Sequence, residues 1–105
     1  MFKIMVVEDD VSLKNIIAKC LTKWGHDVHQ IENLENIIEE FKNYNPELVL
    51  LDINLPFYDG FHWCNEIRKI SKVPIIFISS RNSNMDVIMG VNLGADDYIQ
   101  KPFSV

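Results

Sequence analysis

Cysteine is scarce in this sequence. Cys20 and Cys64 are the only two in 105 residues, with no Cys-x-x-Cys motif and no Cys/His cluster. That pattern gives no zinc module, and both thiols read as small core residues on apolar helical faces rather than as a redox pair. His26, His29 and His62 lack ligand-like spacing and read as surface or half-buried side chains. Basic residues are also sparse. Ten Lys and Arg are scattered against fifteen Asp and Glu, for a formal charge of −5. A phosphate-binding surface needs a basic stripe, so this chain is not expected to bind nucleic acid itself. No apolar stretch approaches the roughly 20 residues of a membrane span, and the N-terminus lacks a signal-peptide pattern. A cytosolic setting, with no membrane contact, is expected.

What is present is 48% hydrophobic residues without repeats, linkers or low-complexity segments, enough for one domain with a core. Short β-rich runs alternate with amphipathic helices. Phe2 to Val7 predicts a strand ending at the acidic Glu8-Asp9-Asp10. Leu13, Ile16, Ile17, Cys20, Leu21 and Trp24 recur at helical spacing, and Gly25 stops that helix. A second strand is expected over His26 to Ile31. Asn33 then caps a helix with the stripe Leu34, Ile37, Ile38 and Phe41, and Asn45-Pro46 breaks it. Glu47 to Asp52 and Pro74 to Ser79 are continuously apolar, which predicts strands buried on both faces. Between them Pro56 to Gly60 reads as a turn, and Asp59 caps a helix carrying Phe61, Cys64 and Ile67. A capping box at Ser83 to Asp86 opens a helix ending at Gly94, and Asp97 to Gln100 makes a fifth strand.

Five strands alternating with helices predict an α/β fold with a doubly wound parallel sheet. In such sheets chemistry sits at the carboxyl ends of the strands. Here those ends carry Glu8-Asp9-Asp10, Asp52, Ser79 and Lys101. Taken singly, the acidic triplet reads as a turn or helix cap, Asp52 as a strand-end residue and Lys101 as surface charge. Their delivery to one sheet edge by four elements is the informative feature. Clustered carboxylates repel unless protons or a cation join them, and an all-oxygen donor set suits Mg²⁺. A lysine ammonium and a serine hydroxyl beside them suit an incoming phosphoryl anion, so the set fits transfer to a carboxylate nucleophile.

At these residues the sequence resembles the receiver domain of two-component response regulators, over essentially the whole chain. The stretches that carry the likeness are Val6 to Asp10, Leu51 to Pro56 with Asp59-Gly60, Ile78 to Arg81, and Gly94 to Phe103. The last of these is similar to the OmpR/PhoB-like subclass with winged-helix DNA-binding domains. The resemblance implies the flavodoxin-like strand order 2-1-3-4-5. It implies that Asp52 accepts the phosphoryl group at an exposed strand tip. Asp9 and Asp52 would ligate Mg²⁺ directly, Glu8 through a water, and Asn54 by its backbone carbonyl. Lys101 would pair with the phosphoryl group, with a cis Lys101-Pro102 bond. Ser79 would be the switch hydroxyl, Ser80 the small neighbour, and Tyr98 the aromatic that changes rotamer.

The implied partners are a sensor histidine kinase, a second copy of the chain docked through the fourth helix and fifth strand, and DNA through an effector domain outside this sequence. Such a domain is a signalling module that catalyses its own phosphorylation and dephosphorylation, not an enzyme acting on other substrates. A phosphorylation-independent interaction (pseudo-receiver) domain is the alternative. An aspartyl-phosphate phosphatase would want a second acid where Asn54 stands, and a nucleotide binder a Gly- or Ser-rich loop where Glu8-Asp9-Asp10 stands. Departures are Glu8 for the frequent Asp, Ser79 for the more frequent Thr, and Asn54 where the DNA-binding subclass often has Met. Arg81 occupies a second position that, with Asn54's, tunes phosphoryl lifetime in the family. The fifth helix of a receiver is missing after Val105, so an apolar patch over the central strands is expected.

Overall fold

The computed structural model describes residues 1–79, except the Ser79 side chain, and the backbone of 97–100. Five parallel strands form one sheet in the order β2-β1-β3-β4-β5. They are β1 (Lys3–Val7), β2 (Asp27–Gln30), β3 (Leu48–Asp52), β4 (Ile75–Ser79) and β5 (Asp97–Gln100). Through β4 this is the flavodoxin-like order that the resemblance implied. Helices α1 (Val11–Lys23), α2 (Ile37–Tyr44) and α3 (Gly60–Arg68) connect them. The helix expected over Ser83 to Gly94, the residues Ser80 and Arg81, and the Lys101-Pro102 bond lie outside the described residues. No helix among the described residues is long and apolar enough to cross a membrane.

The sheet's two faces are filled unequally. Met5, Val7, Val49, Leu51, Ile75 and Phe77 are all buried on one face, where α2 contributes Ile37 and Phe41 and α3 contributes Phe61, Cys64 and Ile67. Phe61 meets Phe77 edge-on, with centroids 5.3 Å apart. On the other face Ile4, Val6 and Ile78 are buried with Ile17 of α1, while Leu48, Leu50 and Ile76 are half-buried. The two-sided burial expected of β3 and β4 is therefore complete only toward α2 and α3. A helix is about 10 Å across and strands lie about 4.8 Å apart, so α1 spans roughly two strands.

Two expectations need correction. The apolar stripe of α1 is wider than the surface it meets. Its positions from Ile16 to Leu21 fan over about 140° at 3.6 residues per turn, and the sheet takes the Ile17–Leu21 side. Ile16 is left exposed, Cys20 is half-buried rather than core, and Trp24 at the C-cap is 76% exposed, whereas Cys64 is fully buried. The second helix begins at Ile37, not at Leu34. Asn33 instead builds a turn, its side-chain oxygen accepting from the Glu35 N–H at 3.0 Å. Glu40 braces this segment. Reaching back from α2, its carboxylate accepts from the Glu32 and Asn33 N–H groups at 3.2 and 2.9 Å and contacts His29 Nε2 at 2.8 Å. Those bonds fasten the loop to the side of α2 and satisfy its N–H groups.

Candidate functional site

Three carboxylates converge at the carboxyl ends of β1 and β3. The register pairs Val7 with Leu51, so Glu8 and Asp52 leave their strands side by side. Ligand atoms of Glu8, Asp9 and Asp52 all lie within 4.8 Å of one another. Glu8 and Asp52 are only 2% and 3% exposed, and Asp9 is exposed. Two like charges that close repel by about 3 kcal/mol at an effective dielectric near 20, so the cluster suits a bound cation. The donor set is oxygen alone, with no thiolate or imidazole among it.

Backbone groups orient these acids. Asp10 N–H donates to Glu8 Oε2 at 3.2 Å, and Asn54 N–H donates to Asp52 Oδ1 at 3.3 Å. Asp10 itself is removed from the cluster. Its Oδ1 accepts from Leu13 N–H at 3.1 Å as the N-cap of α1. Helix capping and ligation are thus divided between adjacent acids of one triplet.

Asp52 is not the exposed tip that the resemblance implied. After it the chain doubles back. Gly60 N–H donates to the Ile53 carbonyl at 2.8 Å, and Ile53 is fully buried. Asp59 caps α3 as expected, accepting from His62 N–H at 2.9 Å. A Cβ on Gly60 would stand 2.2 Å from the Asp52 carbonyl oxygen, so only glycine lets α3 start this close to the acidic strand end.

The strand register places the backbone of Ser79 one residue beyond the Asp52–Ile78 pair and opposite Gln100, the residue before Lys101. The side chains of Ser79 and Tyr98, and Lys101 as a whole, lie outside the described residues. Asn54 is exposed beside Asp52. Two features of this edge went unread in the sequence: the close approach at Gly60 and the aromatic pair Phe57-Tyr58 on the same loop. Phe57 has a left-handed backbone, φ 69°, a conformation that side-chain lists do not signal.

Two groups on the α2 side of the fold have shifted titrations. Burial pushes the Glu40 carboxyl up, but hydrogen bonds from Asn33, His29 and Glu32 outweigh it, and the group falls below its ordinary 4.5. Burial, then the hydrogen bond to Asp27 and that residue's charge, push the Tyr44 phenol up.

Comparison with known proteins points the same way as the geometry. Residues 4–105 match the model of the response regulator receiver domain. The sensory transduction protein BceR of Halalkalibacterium halodurans is 54% identical over 103 residues, 98% of this chain and 45% of BceR. The response regulator protein GraR of Staphylococcus aureus is 48% identical over 101 residues, 96% of this chain and 45% of GraR. The chain therefore spans about half the length of these curated relatives. Among solved structures, the N-terminal domain of the nisin resistance regulator NsrR superposes with a TM-score of 0.88 at 42% identity, covering 97% of this chain and 86% of that one. The BeF3-activated receiver domain of Klebsiella pneumoniae RstA gives 0.92 at 37% identity, covering 97% and 87%.

Proposed function

Because the chain belongs to the response regulator receiver family, we propose that it is a signalling switch whose Asp52 accepts a phosphoryl group from a sensor histidine kinase. The observation that carries the reading is the convergence of Glu8, Asp9 and Asp52 at one sheet edge. In the transfer, a P–O bond forms to an Asp52 carboxylate oxygen. The P–N bond of the donor's phosphohistidine breaks, and its electron pair returns to the imidazole nitrogen. The loop that returns at Gly60 holds the acceptor's backbone in place, so its oxygen can be aimed without reorganisation.

The acids fit Mg²⁺. Glu8, Asp9 and Asp52, with the Asn54 carbonyl, would hold it, and when bound it supplies charge neutralisation for phosphoryl oxygens. On this reading Lys101 pairs with the phosphoryl group and Ser79 donates its hydroxyl to it. Tyr98 then carries the change toward the surface of β5 and the segment 85–94, where two copies dimerise. The same site hydrolyses its own acyl phosphate. The output is transcriptional, through a DNA-binding effector domain outside these 105 residues, in a cytoplasmic regulator.

The test is intact mass after incubation with acetyl phosphate and Mg²⁺. One added phosphoryl group is expected, absent from Asp52→Asn and from the metal-free sample. Addition to Asp52→Asn at the wild-type level would overturn the assignment.

A further inference from the structure

The loop between Asp52 and Gly60 is closed at its neck and strained at its tip. The Ile53 carbonyl accepts from two N–H groups, Leu55 at 3.1 Å and Gly60 at 2.8 Å, so both ends of the loop are pinned to one atom. Inside it, Tyr58 N–H donates to the Pro56 carbonyl at 2.8 Å, closing a three-residue γ-turn centred on Phe57. With φ at 69°, this is the rare, strained form of that turn, and phenylalanine is a poor occupant of it. Phe57 is also 67% exposed, so burial of its side chain does not offset the strain. Strain retained beside a reactive group points to use.

A second cost lies against the same loop. Trp63 of α3 is 4% exposed, and its indole N–H has no hydrogen-bond partner among the described residues. A buried donor left unpaired is unfavourable, and such groups are rare in folded proteins. The ring of Tyr58 meets that indole edge-on with centroids 5.5 Å apart, and Leu55 packs against the core cluster that contains Trp63. Pro56 lies between those two residues, with its carbonyl tied into the strained turn. One rearrangement removes both costs. If Phe57 leaves the left-handed region, the Pro56 carbonyl is freed and the indole gains an acceptor.

The side chain of Asp52 bears on that choice. Asn54 N–H donates to Asp52 Oδ1 at 3.3 Å, and Asn54 is the central residue of the turn between Ile53 and Leu55. While Asp52 is a carboxylate, this bond is charge-assisted. Once a P–O bond forms to Asp52, its side-chain oxygens become those of an acyl phosphate, and the negative charge resides on the phosphoryl oxygens. The hold on Asn54 weakens, and with it the hold on the loop.

We propose that this loop is a two-position latch. Bonded to the Asp52 carboxylate it keeps the Phe57 turn, and phosphorylation of Asp52 releases that turn so that the Pro56 carbonyl engages the Trp63 indole. The acceptor thereby gains a route into α3, separate from the one through Tyr98 and β5. The neck bond from Gly60 to Ile53 stays made in both positions, so the change is confined to residues 54–59. The proposal rests on the assignment of Asp52 as acceptor.

The experiment reads the indole in a Trp24→Phe parent, where Trp63 is the only tryptophan; Trp24 is 76% exposed, so its loss leaves the core intact. Acetyl phosphate and Mg²⁺ are added, and the phosphorylated fraction is followed by intact mass alongside Trp63 emission and the indole proton resonance. Emission should move to longer wavelength and the proton downfield, both in proportion to the phosphorylated fraction, as the N–H takes an acceptor. Glycine is at ease at a positive φ, so Phe57→Gly should accept the phosphoryl group with a much smaller shift. Phe57→Val, whose branched side chain tolerates that φ least, should show shifted signals before any donor is added. Phosphorylated parent with unmoved indole signals would overturn the latch, as would equal shifts in the parent and Phe57→Gly. Parent that takes no phosphoryl group would instead count against Asp52 as acceptor. The latch is then judged on the unlabelled variants, and identical indole signals from Phe57→Val and Phe57→Gly would overturn it.

Discussion

A methyl group added at Gly60 would have nowhere to go. The new Cβ would stand 2.2 Å from the Asp52 carbonyl oxygen and 2.9 Å from both the Asp52 carbonyl carbon and the Ile53 Cα. All three are backbone atoms, so no rotamer change relieves the contact. Either β3 or the start of α3 must shift by most of an ångström, and the 2.8 Å bond from Gly60 N–H to the Ile53 carbonyl goes with it. Overpacking of this kind costs about 1–3 kcal/mol and a lost hydrogen bond about 1 kcal/mol. The better helix propensity of alanine returns less than about 1 kcal/mol. Gly60→Ala should therefore lose about 2–3 kcal/mol, and each kcal/mol lowers the melting temperature of a domain this size by about 4–8 °C. Gly25→Ala is the matched control. It has the positive φ of 89° but no atom within 4 Å of the added Cβ, so only backbone strain of about 1 kcal/mol applies. Thermal melts followed by circular dichroism compare the two, with acetyl phosphate labelling as a second readout. Gly60→Ala should melt well below Gly25→Ala and label more slowly, because the acceptor's own carbonyl is what the methyl displaces. A Gly60→Ala melt equal to or above that of Gly25→Ala would refute the close-approach argument.

Two further outcomes follow from the same structure. Glu40 titrates below 4.5 in the folded chain, so its contribution is present above that pH and is lost as pH falls through the lowered value. Acid unfolding curves should show wild type losing more stability below pH 4.5 than Glu40→Gln, which starts less stable at neutral pH. Asp10→Ala removes the N-cap acceptor for Leu13 N–H and should cost about 1 kcal/mol in chemical denaturation, while leaving acetyl phosphate labelling of Asp52 in place. Loss of labelling there would mean that Asp10 belongs to the acidic cluster after all.

Much of this molecule was decided locally. The strands β1, β3 and β4 are runs of Val, Ile, Leu, Met and Phe whose only comfortable place is a buried parallel sheet, so their order of appearance and their polar ends could be read directly. Asp59 and Asp10 as helix caps rest on bonds three residues long, and Glu8, Asp9 and Asp52 were legible as a set because the first two follow β1 and the third closes β3.

Other features depend on groups far apart in the chain, and no local pattern contains them. Helix α2 starts three residues later than its apolar stripe, and the segment before it is held by Glu40, seven residues on, which takes up the N–H of Asn33. Cys20 leaves the core because one helix meets a sheet over only part of its apolar arc. Asp52 is buried although it ends its strand, and Gly60 is fixed by the Asp52 carbonyl that the returning loop brings beneath it. Propensity and periodicity act within a few residues, so the sequence by itself determined which segments are strands and helices and which acids end them. Burial, close approach and the strained exposure of Phe57 arise only when those segments are packed, and the tertiary structure alone decided them.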